Sequence, residues 1–281
     1  MCKARDKLFF FICLFNIGLF YLSLTSRITE NLDRVITDSL FFGAIFYILW
    51  QRQNQIQFKQ NLLSSLIGTS LITIVIIKSL TLFSFEDKLI FLIPFLMFLG
   101  FSLLTSGFYG IFQYKGELFL SGVLFFPEEV IGIFLEKLVS VTVLNAKVAT
   151  YLLYYFGFNV TRENNHILLF IPEVGNFQAI VNYSCSGMPM IILLLKLAFL
   201  LIFLFPFSKK QIIFIPLLSI LLGFTLGVIR VCILTLLIHQ PTNFDYWHGD
   251  DGAQIFSTLA IMIFSLFAYW LVQKQGFLES H

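Results

Sequence analysis

The sequence predicts an all-α polytopic membrane protein of about eight transmembrane helices, with a small extracytoplasmic β-hairpin flap. Two observations carry that prediction. Hydrophobic residues make up 58% of the 281 residues and charged residues only 12%, far from the balance of a soluble domain. The apolar residues also fall in runs close to the roughly 20 residues that a helix needs to cross a bilayer. No repeat, disordered linker or soluble domain interrupts them, so residues 1–281 read as a single membrane-embedded domain.

Apolar runs over 8–24, 62–84, 89–112, 187–207, 211–238 and 253–272 give six crossings. The first follows Lys3, Arg5 and Lys7, but no small-residue cleavage site follows Leu24, so it reads as a retained signal-anchor helix. A shorter run, 39–50, lies between a charged stretch (Arg27, Glu30, Asp33, Arg34, Asp38) and Gln51–Gln55 and makes a seventh. An eighth belongs somewhere in 117–140, where Pro127-Glu128-Glu129 and Glu136-Lys137 interrupt the apolar character. Residues 138–156, with Asn145 and Lys147 among apolar neighbours, suit a helix partly at the interface, Tyr151, Tyr154 and Tyr155 lying at headgroup depth.

Segment 157–186 is different in kind. Phe158–Thr161 and His166–Phe170 read as short strands around the polar turn Arg162–Asn165, and Phe177–Tyr183 adds a third. Cytoplasmic ends carry the excess of Lys and Arg. Placing Lys3, Arg5, Lys7, Arg52, Lys59, Lys115, Lys209, Lys210 and Lys274 inside gives a consistent alternation, with both termini cytoplasmic and 158–184 and 239–252 outside.

Three residues stand out against this background. Cys185, in Asn182-Tyr183-Ser184-Cys185-Ser186-Gly187, sits where a polar segment runs into an apolar helix. A thiol at a helix start meets free N–H groups and the positive end of the helix dipole, which favour the thiolate. Cys13 and Cys232 lie in apolar helices, where a thiol behaves as a small hydrophobe, and Cys2 is on the cytoplasmic side. Arg230 lies inside the apolar run 211–238, where an arginine costs on the order of 2.5–3.5 kcal/mol on insertion scales and calls for a partner. In the same helix Gly223 and Gly227 form a small-xxx-small pattern suited to close packing. His248, in the outer loop before the last helix, can exchange a proton near neutral pH, and Asp245, Asp250 or Asp251 could orient its imidazole. His166, His239 and His281 have weaker surroundings.

The cysteine in C-S-G opening one helix, the arginine deep in the next and the histidine before the last resemble the exosortase/archaeosortase family of membrane-embedded transpeptidases. The approach to the cysteine, from Tyr154-Tyr155-Phe156-Gly157 through Ile167–Pro172, is also similar, so the resemblance covers roughly 130–260. The loop Trp247–Gly252 looks most like the cyanobacterial branch. One position departs: the family's arginine is often preceded three residues earlier by Asn, and Gly227 stands there. The resemblance implies cleavage of a C-terminal sorting signal of PEP-CTERM type, followed by a transmembrane helix and a basic tail, on exported proteins. Cys185 would form a thioester, His248 would act as base or acid, and Arg230 would bind the developing oxyanion or the substrate's polar atoms. It also implies a multi-pass protein of the plasma membrane with its site on the extracytoplasmic face.

Two other readings fit the same residues: a non-catalytic assembly or transport protein in which Arg230 contacts cargo, and a membrane acyltransferase that shares the thioester step. There is no H-E-x-x-H, no paired C-x-x-C and no Gly-rich phosphate loop, so neither metal nor cofactor is expected. A net charge of +2 offers no footprint for nucleic acid. The apolar composition makes the lipid bilayer one expected partner, and the resemblance implies exported protein substrates with a C-terminal sorting signal as the other.

Overall fold

The computed structural model describes residues 4–28, 32–80, 89–125 and 128–275. Cys2, His281 and the end of the run 62–84 lie outside them. Among the described residues the chain is helical apart from one three-stranded sheet, as an all-α polytopic membrane protein should be. Among the described residues five helices are long and apolar enough to cross a membrane. The chain divides into two compact units, 1–127 and 128–281.

The first unit holds α1 (Ala4–Ile28), α2 (Leu32–Gln51), α3 (Leu62–Ser79), α4 (Leu89–Gln113) and α5 (Lys115–Phe125). Tyr21, Val75, Phe91 and Met97 form a buried cluster among α1, α3 and α4. α3 and α4 meet at glycines, a Cβ on Gly68 standing 2.6 Å from the Gly100 carbonyl oxygen. The buried carboxylate of Glu117 accepts from the Arg52 guanidinium at 2.6 Å, so one of the cations that the sequence places at a cytoplasmic helix end is held in an ion pair.

The second unit holds α6 (Glu128–Val139), α7 (Val141–Tyr155), β1 (Asn159–Glu163), β2 (His166–Ile171), β3 (Gly175–Ile180), α8 (Met188–Leu204), α9 (Lys209–Leu237), α10 (Pro241–His248) and α11 (Asp250–Lys274). The crossing expected within 117–140 is divided between α5 and α6, of 11 and 12 residues. Each is only about 17–18 Å long, short of a core of about 30 Å. The acidic pair after Pro127 ends the apolar run in the sequence, which accounts for the division. α7 follows α6 after a left-handed Ser140 (φ 48°) and ends with Tyr151, Tyr154 and Tyr155 exposed, as an interfacial position requires.

The strands form an antiparallel sheet in the order β1-β2-β3. The first turn is tighter than the sequence suggests, Arg162 and Glu163 continuing β1, and the left-handed Asn164 (φ 54°) reverses the chain. α8 is buried along most of its 17 residues, with Phe199 and Phe203 exposed along one edge. It packs against α6, α9 and α11. Leu194, Leu197, Leu201, Phe256, Ala260 and Phe264 form the core shared with α9 and α11.

Candidate active site

Cys185 does not lie in the first turn of α8. It sits three residues earlier, in a turn built by Asn182, whose side-chain oxygen accepts the Cys185 main-chain N–H (3.0 Å) and the Ser184 hydroxyl (2.9 Å). Ser186 N–H closes the turn on the Asn182 carbonyl (2.9 Å), and the Ser186 hydroxyl donates to the Tyr183 carbonyl (2.8 Å). The Cys185 N–H is thus already spoken for, and the residue is 4% exposed. Asn182 is a site residue that the sequence reading left without a role. Its signal is an Asn three residues before a buried polar-flanked position, the spacing at which Asn and Asp side chains cap main-chain donors.

Burial pushes the Cys185 thiol up from its ordinary range, and the Arg230 charge and the hydrogen bonds from Ser184 and Asn182 only partly offset it. The expected gain from the helix dipole is outweighed by lost hydration, so the resting sulfur is a thiol rather than a thiolate. Labelling of Cys185 by iodoacetamide, read on its own peptide by mass spectrometry, is therefore expected to be slow at pH 7. It should rise about tenfold per pH unit through the ordinary thiol range. A rate already at its plateau at pH 6 would show a preformed thiolate instead.

Arg230, 5% exposed, joins the separate pieces of the site. Its Nη1 donates to the Ser184 carbonyl at 2.9 Å and its Nη2 to the His248 carbonyl at 3.3 Å. Among the described residues its Nε is buried without a hydrogen-bond partner. Asp250 lies within electrostatic reach of the guanidinium. The partner that an intramembrane arginine calls for is therefore chiefly main-chain carbonyl, from the residue before Cys185 and from His248 itself.

The register between the cysteine turn and α9 is set by glycines. A Cβ on Gly227 would fall 2.2 Å from the Gly187 Cα, and one on Gly187 would fall 2.5 Å from the Gly223 carbonyl oxygen. The small-xxx-small pattern in α9 thus receives the segment that carries Cys185, and Arg230 lies three residues beyond Gly227 on the same helix. Any side chain at 227 would meet backbone, which explains why an Asn finds no room there.

The segment expected as a loop before the last helix contains α10, started by Pro241 in its first turn. His248 ends α10, with its ring stacked on Phe244 (centroids 5.1 Å, 14° between planes). Among the described residues no hydrogen bond joins Asp245, Asp250 or Asp251 to the imidazole, so its orientation comes from the aromatic stack and from the grip of Arg230 on its carbonyl. The corner between α10 and α11 is tight, a Cβ on Gly252 falling 2.5 Å from the Trp247 Cα. His166 bonds Gln178 and His239 lies beside Phe177, both on the sheet side of the unit.

Cys185 and His248 open into one cavity of about 200 Å³. One wall is strand β3, from Gln178 to Ile180, and another is α9, through Val231, Leu234 and Thr235. The cavity thus brings a thiol and an imidazole together beside an edge strand and apolar side chains, and the buried Arg230 guanidinium bonds the main chain next to the one and at the other. The family model for transmembrane exosortases matches residues 33–265, and the chain belongs to that family. Comparison with curated proteins and with solved structures finds no match.

Proposed function

We propose that this exosortase is a cysteine-type peptidase/transpeptidase that cleaves the C-terminal sorting signals of exported proteins through a thioester. The observation that carries the reading is the cavity that Cys185 and His248 both line, with Arg230 hydrogen-bonded to the carbonyls of Ser184 and His248. The His248 imidazole takes the Cys185 proton as sulfur bonds to the scissile carbonyl carbon. The oxyanion that forms is held by Arg230, whose Nε–H makes no hydrogen bond among the described residues. Collapse breaks the C–N bond, His248 gives the proton to the leaving amine, and the thioester passes its acyl group to water or to an amine. A raised thiol pKa suits this order, because the base removes the proton only when substrate is in place.

The positive-inside pattern supports the plasma membrane with the site on the outer face, where a signal ending in an apolar helix and a basic tail would leave its cleavage point at the mouth of the cavity. The test is C-terminal shortening of a tagged exported protein with such an ending. Cys185→Ala is expected to stop it entirely while the enzyme still accumulates in the membrane. Continued shortening by that variant would remove Cys185 as nucleophile and leave a transport or assembly role in its place.

A further inference from the structure

β3 is the outer strand of the sheet on the side of the cavity, and its backbone phase can be assigned. The Val181 N–H donates to the Asn165 carbonyl at 3.0 Å, continuing the register that pairs Ala179 with Ile167 and Phe177 with Leu169. In an antiparallel ladder alternate residues turn both N–H and C=O to the same neighbour. The odd residues from Gly175 to Val181 therefore face β2, and Asn176, Gln178 and Ile180 turn their main-chain groups away from it. Among the described residues no hydrogen bond engages those three main-chain groups. The side-chain amide of Gln178 is held separately by His166.

An unpaired strand edge is a template for another extended chain. Here it is not a free surface, because Gln178 and Ile180 line the same cavity as Cys185 and His248. We infer that the substrate docks as an added strand on this edge. An extended peptide pairs its main chain with Asn176, Gln178 and Ile180, and its carbonyl is led to Cys185. The facing wall of Val231, Leu234, Ile238 and Phe244 takes an apolar side chain of that peptide. Recognition then falls mainly on main-chain amides, with side-chain selection from one apolar pocket. The inference rests on Cys185 being the nucleophile and goes beyond it by assigning how the peptide is held.

Proline removes a main-chain donor and is tolerated on a strand edge where that donor faces outward. Gln178→Pro and Ile180→Pro each remove one outward N–H and leave the β2 ladder intact. Both are expected to slow shortening of the tagged exported protein about fivefold or more, the effect of leaving a substrate carbonyl in the cavity without its donor. Arg162→Pro makes the same change on the opposite edge, in β1, and is expected to stay within about twofold of wild type. In membranes carrying Cys185→Ala, a benzophenone amino acid in place of Gln178 is expected to capture the uncut tagged protein on irradiation, and to lose that capture when Ile180→Pro is added. Shortening at the wild-type rate by both β3 proline variants, or capture of lipid alone from position 178, would overturn the inference. If Cys185→Ala still shortens the protein, the nucleophile reading falls, and the capture experiment, which needs no cleavage, decides the docking strand independently.

Discussion

Arg230→Met is expected to reduce processing at least about 100-fold while the protein still accumulates in the membrane. Two opposing effects make accumulation robust. Removing a buried arginine from a membrane helix recovers on the order of 2.5–3.5 kcal/mol on insertion scales. Against that stand the charged hydrogen bonds to Ser184 and His248, worth roughly 1.5–3 kcal/mol each. The two effects offset each other to within about 3 kcal/mol in stability, but they do not offset in function. Without the guanidinium, the hydrogen bonds that join the cysteine turn and the end of α10 to one point on α9 are lost, and the donor for an oxyanion is gone. Arg230→Lys is a sharper test, because it keeps the charge and loses the planar fork that reaches two carbonyls at once. It should accumulate like wild type and process little better than Arg230→Met. Recovery of activity by lysine would mean that charge alone, rather than bridging geometry, is what the site needs. Quantitative immunoblotting of enzyme and of shortened substrate in the same membranes separates the two quantities.

Gly227→Ala is expected to damage both stability and activity, through a single methyl group. That methyl would stand 2.2 Å from the Gly187 Cα and 2.4 Å from its nitrogen. Both neighbours are backbone, so neither can rotate away, and the turn from Tyr183 to Gly187 must lift off α9. Overpacking of this sort costs about 1–3 kcal/mol. The displacement also opens the 2.9 Å bond between Arg230 and the Ser184 carbonyl. A misplacement of about 1 Å at a reacting group costs on the order of 100-fold in rate, so the activity should fall further than the stability. Gly227→Asn, which installs the residue more often found before the family's arginine, is expected to be worse than Gly227→Ala because it is larger. An asparagine variant that processed better than wild type would show that the turn has room to move.

The membrane class, the helices around Cys185 and the β-rich flap were legible in the sequence because each follows from local pattern. Long apolar runs read as helices and a Phe158–Phe170 stretch broken by Asn164-Asn165 reads as a hairpin without knowledge of what lies nearby. Cys185, Arg230 and His248 stood out for the same reason, each being the wrong chemistry for its surroundings. Only the tertiary structure decided what those residues touch. It put Cys185 in an Asn182-built turn ahead of α8, gave Arg230 main-chain carbonyls as its partners, made a helix of 241–248, and split 117–140 into two short helices. Hydrogen bonds between residues 46 and 18 positions apart leave no periodic trace in a sequence. Nor does the contact of Gly227 with Gly187, since a glycine pattern announces close packing but not its partner. Burial reversed one expectation for the same physical reason. The dipole at a helix start is a local property, whereas the desolvation that raises the Cys185 thiol is a sum over everything packed around it.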